Sequence, residues 1–306
     1  MIKGLRVIFL GTPDFAMASL RKLVENGIHV VAVITAPDRP KGRGKKPGSS
    51  AVKDYALKAG FPILQPTNLK SAIFLEKLKR YQADLQIVVA FRMLPEAVWN
   101  MPPLGTFNLH ASLLPQYRGA APINRAIING EKETGITTFF LNHEIDTGKI
   151  IFQEREAILP EDTAGTLYAR LMEKGANLVL KTVHAIQENN YPQRPQKTEG
   201  TLKNAPKIFK EDCKVNWDQE SKNIINFIRG LSPYPGAWSV INGKTIKIFC
   251  AEEVPLKLTS DIGKIKIQED FLLVKTRDTV LKITDMQLEG RRRMKTEDFL
   301  RGYTTN

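Results

Sequence analysis

The chain has 306 residues, which is long enough for two domains that each bury a core of their own. Its 42% hydrophobic and 25% charged residues are typical of a globular protein, and no apolar run approaches the roughly 20 residues that a membrane-spanning helix needs. The net charge of +13 makes a polyanion such as nucleic acid a plausible partner, although charge alone supports this only modestly.

The cysteine and histidine content argues against a structural metal. Cys213 and Cys250 are far apart, and neither forms with a histidine the close spacing that is typical of zinc sites. The first apolar run is too short for a secretory signal, and two isolated cysteines fit a reducing compartment. We therefore expect a cytoplasmic protein that needs no metal and binds no membrane, and we expect it to be a monomer.

The first part of the chain alternates apolar strands with helices. Leu5–Leu10 and His29–Ile34 are short apolar runs typical of strands buried on both faces, and the residues between them place apolar side chains on one helix face. This order predicts an α/β domain with a Rossmann-like parallel sheet over residues 1–190. Further helices are predicted over 49–59, 71–81 and from Asp162 to near Asn190, and further strands over 61–64 and 85–90.

The turn after the first strand reads Gly11-Thr12-Pro13-Asp14-Phe15. A dinucleotide site would need glycines at three positions of this turn so that the backbone can approach a pyrophosphate. Pro13 and Phe15 occupy the turn instead. The sequence therefore disfavours a nicotinamide cofactor.

A proline- and glycine-rich stretch, PDRPKGRGKKPGSS, follows from Pro37. On composition alone, a mobile solvated loop and a nucleic-acid contact are about equally favoured. Its length inside a compact domain favours a functional loop, since glycine allows close approach to a phosphate backbone and arginine presents a planar donor group. The basic residues of this loop are Arg39, Lys41, Arg43, Lys45 and Lys46.

Two polar side chains lie at alternate positions of the predicted strand Gly105–His110. Asn108 and His110 are two residues apart, so they project from the same face of the sheet. An amide that donates to a developing oxyanion and an imidazole that moves a proton suit acyl transfer, and Asp146 can orient the imidazole. A packed or solvated histidine is the commoner outcome for an Asn-x-His pair taken alone.

The residues around this pair favour a ligand site. Ser112-Leu113-Leu114-Pro115 forms a loop after the strand, and Pro122 is typical of a helix start, so strand, loop and helix follow one another. Such loops bind small ligands in open α/β sheets, and we expect its backbone groups to be free to hydrogen-bond a flat heterocycle. A hairpin of strands over 135–141 and 150–156 is predicted to return Asp146 to this face, while His143 is expected to be solvated.

The run FNLHASLLPQYRGAAPI, followed by IDTG, resembles the 10-formyltetrahydrofolate-dependent formyltransferases, and the resemblance extends along the whole chain. It implies formyl transfer from 10-formyltetrahydrofolate to the α-amino group of methionyl initiator tRNA. It implies a catalytic set of Asn108, His110 and Asp146. It implies folate contacts from Ser112, Leu113, Leu114 and Pro115.

The same resemblance gives the basic loop a partner. Family members that act on methionyl-tRNA carry a loop here that enters the acceptor end of the tRNA, which implies contact by Arg43 and, on phosphates, by Lys41, Lys45 and Lys46. The run Phe91-Arg92-Met93 departs from the aromatic-glycine-apolar run of many relatives, which is one residue longer. Folate-ring contacts from residues 91–94 are therefore not assigned.

The last third of the chain changes character. Residues 191–207 have no apolar periodicity and are predicted to be a linker, and residues 208–306 hold a helix near 221–229 and several short strands. Tight turns such as Asn242-Gly243 predict a small β-barrel of the oligonucleotide-binding type, which the family's C-terminal domain resembles in the run GLSPYPGAW. A basic cluster in this domain is predicted to follow RNA phosphates: Arg291, Arg292, Arg293 and Lys295, with Lys244, Lys247 and Lys282.

Two alternatives remain open. The first is another formyl acceptor, such as glycinamide ribonucleotide or an amino sugar nucleotide, which would not need the basic loop and the basic second domain. The second is a noncatalytic RNA-binding protein on the same scaffold, which the three intact residues Asn108, His110 and Asp146 argue against.

Overall fold

The structure is a computed structural model that describes residues 4–41, 46–198, 200–268 and 271–302, without the side chains of residues 41, 46 and 47. Arg43 and Lys45 lie outside the described residues. The chain forms two compact units. The N-terminal unit contains residues 1–118, 135–156 and 169–204, and the C-terminal unit contains residues 119–134, 157–168 and 205–306.

Strands and helices alternate through the first 190 residues. The strands are β1 Val7–Gly11, β2 Val30–Ile34, β3 Arg39–Lys41, β4 Lys46–Gly48, β5 Ile63–Leu64, β6 Leu85–Val89, β7 Thr106–His110, β8 Arg118–Gly119, β9 Glu133–Phe140 and β10 Ile150–Ala157. The helices are α1 Asp14–Glu25, α2 Ala51–Lys58, α3 Ala72–Arg80, α4 Glu96–Trp99, α5 Pro122–Ile128 and α6 Ala164–Gln187.

The main sheet has seven strands in the order β10-β9-β7-β6-β1-β2-β5. Strands β5, β2, β1, β6 and β7 pair in parallel, and β9 joins β7 antiparallel. The chain runs outward from β1 to β2 and β5, then returns to the other side of β1 as β6. The predicted Rossmann-like parallel sheet is confirmed, with its switch point between β1 and β6, where open α/β sheets bind ligands.

Gly11 ends β1 at the point where α1 approaches the sheet. A Cβ atom at this position would lie 2.5 Å from the Cβ of Ala16 and 3.1 Å from the carbonyl oxygen of Val89. Real Cβ atoms do not come this close to their neighbours, so glycine is required here by helix–strand packing. This role is separate from the pyrophosphate contact that a dinucleotide fingerprint would supply.

The C-terminal unit contains a six-stranded antiparallel sheet of order β12-β13-β16-β15-β14, with β17 paired to β16. It curls into a half-barrel, which confirms the predicted β fold of the second domain. The elements after α6 are β11 Asn204–Ala205, a short 3-10 helix at Glu211–Cys213, α7 Ser221–Leu231, β12 Ala237–Ile241, β13 Lys244–Val254, β14 Ile265–Gln268, β15 Phe271–Lys275, β16 Val280–Leu288, β17 Met294–Lys295 and α8 Thr296–Arg301.

The core of this unit lies between α7 and the sheet. Ile224 and Ile228 of α7 are buried with Ile248 of β13 and Leu272 of β15 in one apolar cluster. The predicted hairpin at Asn242-Gly243 is present between β12 and β13, and both residues have the positive φ angles, 48° and 75°, that such a turn requires.

Candidate active site

Strand β7 presents two polar side chains on one face of the sheet. Phe107 and Leu109 are buried in the core, whereas Asn108 is partly exposed and His110 is 6% exposed. Alternate residues of a strand point to the same face and lie about 6.6 Å apart along it. Asn108 and His110 therefore flank a space large enough for one small reacting group at the carboxyl end of β7.

The imidazole of His110 lies between two oxygen atoms. Its Nε2 is 2.8 Å from the carbonyl oxygen of Tyr117, and its Nδ1 is 3.9 Å from Oδ2 of Asp146. A carbonyl oxygen can only accept a hydrogen bond, so Nε2 carries the hydrogen of the neutral ring. Nδ1 of that ring is consequently a free lone pair that faces the carboxylate, and a distance of 3.9 Å is too long for a direct hydrogen bond.

Both residues that face the imidazole have left-handed backbone conformations. The φ angle is 60° at Tyr117 and 55° at Asp146. This conformation costs a residue with a side chain about 1–2 kcal/mol, and such costs persist where the surrounding structure enforces them. For Tyr117 the enforcement is visible, since its side chain is buried and its amide donates to the carbonyl oxygen of Lys203 at 2.6 Å.

The loop between β9 and β10 carries Asp146 back to β7, as predicted. Its turn is closed by Thr147, whose hydroxyl donates to Oδ1 of Asn142 at 2.9 Å. Gly148 follows, and a Cβ atom there would lie 1.6 Å from the carbonyl oxygen of Phe140. The glycine of the IDTG run is therefore required by the close passage of the loop over the end of β9.

Hydrogen bonds to surrounding residues hold the loop Ser112–Pro115 in place. The Ser112 hydroxyl is buried and donates to the carbonyl oxygen of Gln116 at 2.6 Å. The Leu114 amide donates to the Thr137 hydroxyl, and the Leu114 carbonyl accepts from Gln153. The expectation of free backbone groups is thus not met at Leu114, because its amide and its carbonyl already have partners.

A cavity of about 770 Å³ lies beside this loop and is distinct from the His110 site. Asn108, His110 and Asp146 are not among its lining residues. The cavity is lined by Leu113, Leu114, Gln116, Gln153, Glu154, Arg155 and Lys174.

The sequence profile of the family described as "Formyl transferase" matches residues 5–183, and that described as "Formyl transferase, C-terminal domain" matches residues 207–304. The chain belongs to the formyl transferase family. The two matched ranges leave residues 184–206 between them.

Similar proteins with curated names are methionyl-tRNA formyltransferases. The one from Bacteroides fragilis is 53% identical over 310 residues, covering 98% of this chain and 96% of the relative. The one from Parabacteroides distasonis is 53% identical over 312 residues, covering 98% and 96%. The one from Flavobacterium johnsoniae is 47% identical over 307 residues, covering 99% and 98%.

Two solved structures with low sequence identity share the fold. HypX from Aquifex aeolicus in complex with tetrahydrofolic acid has a TM-score of 0.66 at 21% identity, covering 97% of this chain, which spans about half, 47%, of HypX. WlaRD, a sugar 3N-formyl transferase, has a TM-score of 0.67 at 20% identity, covering 94% of this chain and 99% of WlaRD. At these identities the likeness concerns the fold.

In this formyl transferase, residues 92–94, which follow β6, differ in their burial and contacts. Leu94 is buried in the core and Met93 is 72% exposed. Arg92 donates to the carbonyl oxygens of Pro66 and Thr67, and burial, together with the neighbouring charge of Arg39, lowers the pKa of its guanidinium. Arg92 is thereby directed toward residues 66–67.

The described base of the basic loop is a two-stranded ribbon, which was not predicted. Strands β3 and β4 pair antiparallel, with Lys41 opposite Lys46. Asp38 directly precedes the ribbon, and its carboxylate accepts from Gln65 at 2.9 Å and pairs with Lys53. These contacts fix the described residues from which the basic loop extends.

The basic cluster of the C-terminal unit divides into paired and exposed residues. Arg293 donates to both oxygens of Asp285 at 2.8 and 3.0 Å and stacks on Phe249, and these hydrogen bonds to the Asp285 carboxylate raise the pKa of its guanidinium. Arg291 and Arg292 are exposed and line a surface groove of about 590 Å³. The charge of Arg293 is therefore balanced within the unit, whereas Arg291 and Arg292 face solvent.

The expectation for His143 can be compared directly with the structure. His143 is 73% exposed, so the predicted solvated histidine is confirmed. Within residues 4–41, 46–198, 200–268 and 271–302, no helix is both long and apolar enough to cross a membrane. Within the same ranges, no group of three or more His, Cys, Asp and Glu side chains is arranged to hold a metal.

Proposed function

We propose that this chain transfers the formyl group of 10-formyltetrahydrofolate to the α-amino group of methionyl initiator tRNA. The observation that carries the proposal is 53% identity over 98% of the chain to the methionyl-tRNA formyltransferase of Bacteroides fragilis. The geometry around His110 supplies the chemistry that amide formation needs, namely a base beside an amide donor.

His110 acts as the base. Tyr117 holds Nε2 in its protonated form, so the Nδ1 lone pair is available for a proton of the attacking amine. As the new N–C bond forms at the formyl carbon, Nδ1 takes that proton, and it then returns a proton to the departing folate nitrogen. The charged ring is stabilised on one side by the Tyr117 carbonyl and on the other by the Asp146 carboxylate.

Asn108 stabilises the charge that develops on the formyl oxygen. It lies one side-chain position before His110 on the same face of β7, so its amide donates to the oxygen while the imidazole handles the amine. Removal of such a donor typically costs about 2.7–4 kcal/mol of transition-state stabilisation, which is roughly a hundred- to a thousandfold in rate.

Asp146 positions the amine as well as the imidazole. The 3.9 Å between its Oδ2 and Nδ1 of His110 fits a group that donates one hydrogen to each atom. A neutral amine has two such hydrogens and keeps its lone pair for attack. In this arrangement the amine contacts both the base and the carboxylate.

The formyl donor binds, in this proposal, against Ser112, Leu113, Leu114 and Pro115. Because the polar groups of Ser112 and Leu114 already bind Gln116 and Gln153, the loop is rigid and offers the partly exposed side chains of Leu113 and Pro115 to the flat ring system. Folate is a co-substrate here, and we propose that the reaction needs no metal.

The tRNA binds through basic surfaces on both units. Lys41, Arg43, Lys45 and Lys46 of the basic loop contact the acceptor end, and residues 208–306 form the second RNA-binding domain after a linker at 191–207. In that domain cations lie over aromatic rings, a combination suited to phosphate and base contacts. These pairs are Lys214 on Trp238 and Lys282 on Phe271, and Lys207, the last residue of the linker, lies over Phe209.

The proposed enzyme works as a monomer in the cytoplasm. One chain contains Asn108, His110 and Asp146 within one unit, so a second copy is not needed to complete the set. Its proposed substrate is a charged tRNA, which is made and used where translation takes place.

The deciding experiment supplies purified protein with 10-formyltetrahydrofolate and one of three acceptors: methionyl initiator tRNA, glycinamide ribonucleotide or an amino sugar nucleotide. Formylated methionyl-tRNA should be the main product. A preference for either small acceptor would reject the tRNA assignment, and no product from any acceptor would favour a noncatalytic RNA-binding role.

Asn108→Ala and His110→Ala should each lose at least about a hundredfold in kcat.

A further inference from the structure

We propose that Gln196 is a positioning residue for formyl transfer, because its side-chain amide fixes the loop that carries Asp146. The inference rests on the proposed function, in which the Asp146 carboxylate faces the imidazole of His110. Gln196 lies in the stretch without apolar periodicity, where it is half-buried between exposed neighbours. Its burial is the first sign that it differs from the residues around it.

The amide nitrogen of Gln196 binds the Asp146 loop twice. Nε2 donates to the carbonyl oxygen of Asp146 at 2.8 Å and to that of Gly148 at 2.9 Å. A carboxamide has two N–H donors, so both are used on carbonyls that flank Thr147. The backbone on either side of Thr147 is therefore tied to one side chain.

The other end of the same amide is fixed by Arg118. Oε1 of Gln196 accepts from Nε of Arg118 at 3.1 Å and from Nη2 at 2.5 Å. A guanidinium can only donate and a backbone carbonyl can only accept, so only one orientation of the Gln196 amide satisfies all four contacts. Bonds to a charged donor are the stronger kind, which makes Arg118 a firm anchor.

Arg118 connects this network to the imidazole. It directly follows Tyr117, whose carbonyl oxygen accepts from Nε2 of His110. Gln196 thus links the segment that holds one edge of the imidazole to the loop whose carboxylate faces the other edge. The separation of Asp146 from His110 is consequently set, in part, by a residue that contacts neither side chain.

The backbone of Gln196 is itself held close to the loop. Two residues earlier, Arg194 pairs with Ile150 through backbone hydrogen bonds of 2.8 and 2.9 Å. Ile150 begins β10, four residues after Asp146. The amide is therefore presented from a short, anchored segment and not from a free chain.

Loss of the two donated bonds should loosen the loop. Asp146 holds a left-handed φ of 55°, which its neighbours must enforce, and each lost bond removes part of that enforcement. A displacement of about 1 Å between reacting groups costs on the order of a hundredfold in rate. The consequence falls on kcat, because the binding surfaces for folate and tRNA remain.

The first test compares Gln196→Leu with Gln193→Leu, a matched change at an exposed glutamine of the same segment. Gln196→Leu should lower kcat roughly ten- to a hundredfold with little change in KM for either substrate, and Gln193→Leu should behave as wild type. Gln196→Glu keeps an acceptor for Arg118 but loses both donors. It should be as slow as Gln196→Leu, and it replaces that variant if Gln196→Leu does not fold.

The second test combines each slow variant with Asp146→Asn. If Gln196 acts through Asp146, the two changes are not additive, and the double variant is about as active as Asp146→Asn alone. Additive losses, or wild-type kcat in Gln196→Leu while Asp146→Asn is slow, would overturn the inference and leave the proposed function intact. Wild-type kcat in Asp146→Asn itself would overturn the assigned role of Asp146.

Discussion

Nε2 of His110 donates a hydrogen bond to the carbonyl oxygen of Tyr117 over 2.8 Å. Because this acceptor is a backbone atom, no side-chain substitution at residue 117 removes it, and the tautomer of His110 is set by the fold itself. In the proposed mechanism, Nδ1 is consequently the atom that meets the substrate. The tautomer of His110 can be tested without any substrate.

The neutral imidazole of His110 should be protonated at Nε2. Nitrogen-15 NMR distinguishes the two neutral tautomers, and His110→Asn identifies the resonance by its loss. His29, which is exposed, is the internal comparison and should show the mixture of a solvated ring. Predominant protonation at Nδ1 of His110 would contradict the assignment of this atom as the base.

Gly148→Ala should reduce both stability and kcat. The added Cβ would lie 1.6 Å from the carbonyl oxygen of Phe140, so the loop must move, and Asp146 moves with it. We expect a loss of about 1–3 kcal/mol in the free energy of unfolding, measured by thermal or urea denaturation. Gly60→Ala is the control, because no atom lies within 4 Å of its Cβ position and its positive φ alone costs stability. A wild-type kcat in Gly148→Ala would show that the position of this loop does not affect catalysis.

Arg291 and Arg292 should contribute to RNA affinity, and Arg293 to stability. Removal of both exposed arginines should weaken tRNA binding and reduce the slope of log K against log salt by about 2, with little effect on unfolding. Arg293→Ala breaks the contacts with Asp285 and Phe249 and should cost about 1 kcal/mol in unfolding free energy. Equal effects of the three arginines on the salt slope would contradict this division.

The different surroundings of these three arginines could not be predicted from the sequence. The run Arg291-Arg292-Arg293 predicts a basic surface but does not reveal that the third member is paired with Asp285 across the β16–β17 turn. Pairing depends on which side of a strand each residue occupies after the chain turns. That information exists only once β17 is placed on β16.

The main sheet and strand β7 were predictable because burial imposes a period on the sequence. Strand β7 and the common face of Asn108 and His110 follow from alternation alone. The short elements α4, α8 and the β3–β4 ribbon span too few residues to show a period, and they were missed. Tertiary contacts determine such short elements more than their own residues do.

The partners of the imidazole and of Asp146 were the least predictable part of the site. Tyr117 contributes a backbone oxygen, which every residue possesses, so its identity carries no signal. Gln196 lies 50 residues from Asp146 in a stretch without apolar periodicity. A half-buried glutamine with all its polar atoms in use is visible only in three dimensions.

Asp278 should make the C-terminal unit sensitive to acid. It caps α7, accepting from the Ser221 amide at 2.9 Å and from the Thr276 hydroxyl at 3.0 Å. Burial alone would raise the pKa of the Asp278 carboxyl, but these hydrogen bonds outweigh it, and the pKa lies below its ordinary value. The ionised form therefore stabilises the fold above the unfolded pKa of about 3.9, and this contribution is lost as the pH falls through the lower folded pKa.

Asp278→Asn should accordingly lower stability at pH 7 by about 1 kcal/mol, the usual cost of weakening a helix cap, because the amide accepts less strongly than the carboxylate. Solvent screening of this exposed group keeps the effect at that size. The variant should also lose less stability than the wild type between pH 5 and about pH 3, measured by urea unfolding at each pH. Asp218→Asn, which alters an exposed ion pair with Arg277, is the control and should change neither quantity appreciably. Parallel stability curves for Asp278→Asn and wild type across this range would show that the cap does not depend on ionisation.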